Sequence, residues 1–135
     1  MKLNKFIALG ASAALAFATT QSAFAHEGEE HAAIPETADG ILQEIHKHHG
    51  ELDATVKSKN LKEVHEHAEA ITALAKALPD KVTAEKKDRV QGSANNIAKV
   101  ADTLHDASDA GDQAKTEAEL KKLDGVLMAL DKQVK

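Results

Sequence analysis

Aliphatic residues recur at alternating steps of three and four along four separate stretches of this chain, and that spacing leaves few folds open. Leu42, Ile45, His49, Leu52 and Val56 hold it first, with Ile41 and His48 widening the stripe. Leu61, Val64, Ala68, Ile71, Ala75 and Leu78 come next, then Val90, Ala94, Ile97, Ala101 and Leu104, and finally Leu120, Leu123, Leu127, Leu130 and Val134. A 3-4 repeat places each set on one side of a helix. Four such helices can hide their stripes only against one another, so the expected fold is all-α, an antiparallel up-down-up-down four-helix bundle.

The breaks set the boundaries. Helix one is expected over 37–57, helix two over 61–78 and helix three from near 83 to 108, with a fourth ahead of the carboxyl terminus. Asn60 with Glu63, and Thr116 with Glu119, fit the reciprocal pair that caps a helix start. Pro79 and Asp80 end the second helix, and "SDAGD" at 108–112 reads as a turn with Gly111 as its permissive residue. Gly50, Gly92 and Gly125 fall inside helices, where they allow either close helix approach or a local bend.

The amino terminus is of another kind. "MKLNKFIALGASAALAFATTQSAFA" has two lysines ahead of an apolar run and ends in Ala-Phe-Ala, which reads as a cleaved secretory signal peptide over 1–25. The expected location is the periplasm, with the mature chain starting at His26 and no stable membrane insertion. Residues 26–36 read as a flexible acidic tail with Pro35 near the first helical turn, and 37–135 as the bundle.

Lys2 and Lys5 leave with the leader, which takes the formal charge from −5 to −7. Such a chain is a poor partner for nucleic acid phosphates. The three phenylalanines lie in the leader, and there is no Tyr, Trp or Cys. Base stacking, thiolate metal sites and thiol catalysis are therefore excluded for the mature protein. No H-E-x-x-H is present because Glu69 stands where the second histidine would, and the nearest approach to a di-iron motif is the single Asp102-x-x-His105. Phosphate loops and nucleophile elbows are also missing, so no enzyme is expected.

Histidine is what remains. His46, His48 and His49 crowd the first helix, His65 and His67 the second, His105 the third, while His26 and His31 lie in the tail. Imidazole is a neutral ligand for Cu(II), Zn, Ni and Co, whereas a chain with Met128 as its one mature methionine suits Cu(I) poorly. Counted from the shared end of the bundle, His49, His65 and His105 fall at similar heights, at about 1.5 Å per residue. They form the first candidate metal site, with Glu51, Asp106 or Glu63 supplying a carboxylate. His46 with His49, aided by His67 or Glu66, is a second candidate. His65 and His67, two residues apart, must serve different surroundings. A third candidate is the tail, where a terminal His26 offers its α-amine and imidazole together, with His31, Glu27, Glu29 and Glu30 nearby.

The order of helices and the segment "ATVKSKNLKEVHEHAEAITALAKALPD" resemble exported four-helix bundles of the cytochrome b562 and cytochrome c′ type. That resemblance implies the bundle scaffold and a haem held by axial methionine and histidine or by C-x-x-C-H. Here Leu42 stands in the region of the first-helix methionine, no histidine follows His105, and there is no cysteine. The leader, the histidine-rich helices and the "HEGEEH" start also look similar to small periplasmic metal-tolerance proteins. The expected function is a periplasmic transition-metal buffer, chaperone or sensor accessory that captures its ion near neutral pH and releases it on acidification, with a periplasmic protein as possible partner. The alternatives are a non-catalytic envelope bundle that binds another protein and, more remotely, a haem bundle.

Overall fold

The computed structural model describes residues 33–135, and the leader, His26 and His31 lie outside them. Four helices run Ala38–Lys57 (α1), Val64–Ala77 (α2), Ala84–Asp109 (α3) and Gln113–Val134 (α4). They form an up-down-up-down bundle in which each helix packs on the next and α1 closes the ring against α4. No strand occurs among the described residues. No helix among them is long and apolar enough to cross a membrane.

The core follows the stripes the spacing defines, except that His49, Leu61 and Val134 are only partly buried. Ile41, Ile45, Leu52, Val64, Ile71, Leu78, Val90, Ile97, Leu104, Leu123 and Leu130 are fully buried. Each buried Ile, Leu or Val contributes about 1.5–3 kcal/mol relative to exposure. Alanines 68, 75, 94 and 101 fill the positions between them. Leu74 joins the core although it stands off the 3-4 repeat.

Helix ends depart from the expected capping. Asn60 makes no side-chain cap, and Leu61–Glu63 forms a 3-10 turn before α2 begins. A second 3-10 turn, Leu78–Asp80, comes after α2. α4 starts earlier than Thr116: Asp112 caps it by accepting from the Lys115 N–H at 3.0 Å. Thr116 is instead fully buried, donating its hydroxyl to Asp112 O at 2.8 Å, and the buried Glu119 accepts from Lys122 Nζ at 2.6 Å. The shorter route through Asp112 satisfies an orphan N–H directly and leaves Thr116 free to point inward. Pro35 stays ahead of α1, whose cap is Thr37, accepting from the Gly40 N–H at 3.1 Å. A Cβ on Gly40 would come within 2.9 Å of Pro35, so the glycine here admits the incoming chain.

α1 and α3 end in the same way at the same end of the bundle. After α1, Lys59 N–H donates to Val56 O and Asn60 N–H to Thr55 O. After α3, Gly111 N–H donates to Ser108 O and Asp112 N–H to Ala107 O. Both are Schellman closures, which require a left-handed residue. Gly111 takes φ 69° and Lys59 takes φ 62°. Gln113 Nε2 donates to Val56 O at 2.8 Å and so ties the start of α4 to the end of α1. At the opposite end Lys86 Nζ donates to Val134 O at 2.7 Å, and Lys87 Nζ to Asp80 at 2.8 Å. That second bond, more than the attraction of the charges, holds the Asp80 carboxyl below and the Lys87 ammonium above their usual ranges.

Candidate metal centre

The histidines of α1 divide between its two neighbours because a helix turns by about 100° per residue. His46 and His49, on one flank, face α4. His46 Nε2 donates to Asp131 Oδ1 at 3.0 Å. His49 Nε2 lies 2.6 Å from Asp124 Oδ1, close but out of line for a hydrogen bond, so that nitrogen is buried without a bonded partner. Asp124 and Asp131 are two turns apart on α4, and the pairs form two rungs of an α1–α4 seam. His48 falls on the other flank and faces α2.

Across that flank His48 meets His67, their Nδ1 atoms 3.5 Å apart. Glu51, three residues beyond His48 on α1, brings Oε2 within 3.5 Å of His48 Nδ1 and 3.6 Å of His67 Nδ1. The three donor atoms form a nearly equilateral triangle. The imidazoles are part-buried, with 17% and 15% of their side-chain surface exposed, while Glu51 at 46% leaves one side open to water. It is the one cluster of three His or carboxylate ligands among the described residues whose atoms all lie within 4.8 Å of one another. Both imidazoles offer the nitrogen nearest the backbone, which fixes its position more tightly than the far nitrogen would be.

His65 and His67 stand about 200° apart on α2, and their surroundings differ accordingly. His65 turns to α3, where its Nδ1 lies 2.8 Å from His105 Nε2 and the rings sit 4.5 Å apart. His49 does not join them. The expected grouping of His49, His65 and His105 has the heights right, but α1 and α3 are diagonal in the ring, and His49 points to α4. The expected pairing of His46 and His49 with His67 or Glu66 also fails to form, since His67 pairs with His48. Among the carboxylates considered, Glu51 belongs to the cluster, whereas Asp106, Glu63 and Glu66 make no ion pair with a histidine among the described residues.

Sequence reasoning passed over Asp124, Asp131, Glu69 and Asp109. The last two carried a readable signal, His-x-x-x-Glu at 65–69 and His-x-x-x-Asp at 105–109, which puts a carboxylate one turn beyond each imidazole.

Comparison of the chain with protein-family models, with curated proteins and with solved structures finds no match. The geometry of the donor atoms is therefore the guide to what the site does.

Proposed function

We propose that this chain is a transition-metal-binding bundle of the bacterial envelope, reached through removal of the leader, that holds an ion at His48, Glu51 and His67 and serves as a buffer or delivery protein. The observation that carries this reading is the triangle of donor atoms with sides of 3.5, 3.5 and 3.6 Å. A centre equidistant from atoms so spaced lies about 2.0 Å from each in their plane and about 2.2 Å away at a tetrahedral apex, the range of Zn–N and Zn–O bonds. Three acceptors this close together repel unless a cation or a proton lies between them.

The donor set and spacing favour Zn(II), with Co(II) as its tetrahedral substitute, over Ni(II) and Cu(II). Water completes the coordination on the open Glu51 side. Two ligands come from one turn of α1 and the third from α2, so the ion closes the first hairpin, and binding adds to the stability of the bundle. A site with an exposed carboxylate exchanges its ion readily, as a buffer or carrier requires. In this reading the protein performs no catalytic step, and any protein partner is a source or recipient of the ion.

The test is a thermal melt with and without metal. Zn(II) at a hundred times its dissociation constant should stabilise the fold by about 2.7 kcal/mol per site. Replacing His48 and His67 together by Ala should shrink that gain. A melting transition that ignores Zn(II), Co(II), Ni(II) and Cu(II) alike would sink the reading.

A further inference from the structure

The second histidine pair has a chemistry of its own. His65 Nδ1 and His105 Nε2 face each other across the α2–α3 seam at 2.8 Å. Asp109 Oδ2 lies 3.3 Å from the same His105 nitrogen, and Glu69 Oε1 lies 3.3 Å from the other nitrogen of His65. The pair is more open than the first cluster, with 43% of the His65 side chain and 34% of His105 exposed. Solvent access of this degree lets an ion arrive with part of its water shell.

We propose that His65 and His105 form a second, two-imidazole metal site, separate from the first and shaped for a tetragonal ion such as Cu(II) or Ni(II). The spacing separates the two sites. Ligands at about 2.0 Å and a right angle stand about 2.8 Å apart, whereas tetrahedral ligands stand about 3.3 Å apart. The α2–α3 pair matches the first value and the α1–α2 cluster lies near the second. Between two neutral imidazoles the same 2.8 Å is the length of an N–H···N hydrogen bond, so a proton and a metal ion compete for one position.

Glu69 makes the exchange possible without net proton release from His65. When the metal takes Nδ1, the ring proton moves to Nε2, and Glu69 Oε1, 3.3 Å from that nitrogen, accepts from it once the side chains turn into line. This is the carboxylate–histidine–metal relay that orients a ligand ring and raises its basicity. Water takes the remaining positions, and Glu69 is thus a positioning residue.

This inference stands apart from the first site, and metal counting on the full chain separates the two. In equilibrium dialysis with Cu(II), replacing His65 and His105 by Gln should lower the bound copper by one ion per chain, both in the natural sequence and in a His48→Ala/His67→Ala background. Unchanged copper in both backgrounds overturns the second site, whereas unchanged Zn(II) binding on replacing His48 and His67 overturns the first. Imidazole nitrogen NMR of the unsubstituted protein with substoichiometric Cu(II) gives a readout that does not depend on the variants folding. The expected paramagnetic broadening is strongest at Nδ1 of His65 and Nε2 of His105. Broadening strongest at His65 Nε2 in place of Nδ1, or none at either ring, would refute the proposal.

Discussion

His65 and His67 stand two positions apart on α2 and reach opposite seams of the bundle. His67 meets His48 of α1 at 3.5 Å, and His65 meets His105 of α3 at 2.8 Å. One helix thus supplies an imidazole to the His48–Glu51–His67 cluster and another to the proposed second site. Spacing of i,i+2 is what makes this work, since i,i+4 would have put both rings on one seam.

Removing either imidazole of the α1–α2 cluster takes away a ligand atom, and His48→Ala or His67→Ala should each weaken Zn(II) binding by about 100-fold or more. Glu51→Gln keeps an oxygen but loses its charge, and about tenfold is expected. His46→Ala, on the α4 seam, should leave zinc affinity within about twofold. Competition with a chromophoric chelator measures all four.

Protons and metal seek the same nitrogens, so affinity must fall with acidity. Lowering the pH from about 7.5 to about 5.5 should weaken Zn(II) binding by at least tenfold. The Glu51→Gln protein should show the same direction of change, because the imidazoles dominate it. A pH-independent affinity would remove His48 and His67 from the ligand set.

The paired Schellman turns give a stability comparison within one molecule. Lys59 holds φ 62° with a side chain, where Gly111 holds φ 69° without one. Lys59→Gly should stabilise by about 1 kcal/mol, and Gly111→Ala should destabilise by a similar amount. Gly50, Gly92 and Gly125 differ from both, since a Cβ at any of them meets nothing within 4 Å. Ala there should add about 0.5–1 kcal/mol each, which chemical denaturation would show.

The Asp80–Lys87 bond gives the protein a small acid-sensitive contribution. Asp80 is held below its usual range, first by the hydrogen bond from Lys87 and then by its charge. A depressed carboxyl stabilises the fold above its unfolded pKa, and the effect disappears as the pH falls through the folded value. Asp80→Asn should therefore melt slightly below the natural protein at pH 7. The difference should close toward about pH 3. Both side chains are exposed, so the gap will be small and salt-sensitive.

The helices and core were legible because the 3-4 repeat of aliphatic residues reports the inward face directly. Positions such as Ile45, Ile71, Ile97 and Leu123 needed nothing more. The heights of the histidines were legible too, since rise per residue is constant. Partner choice was not, because it depends on which neighbour each flank meets. His48 and His49 differ by one residue, yet face α2 and α4. The start of α4 was misplaced for a different reason: Thr116-x-x-Glu119 has the letters of a capping box, but burial claimed both side chains and Asp112 took the role.

α2 joins its flanking 3-10 turns without a break, and His65 and His67 lie in its first turn beside that junction. A 3-10 turn winds about 120° per residue against about 100° in an α-helix, so passing one residue across the boundary twists the downstream helix by about 20°. Such a twist would turn His65 and His67 together with Val64, Ala68 and Ile71 on the same helix, so the packing of the aliphatic interior fixes the rotation at which α2 presents both rings.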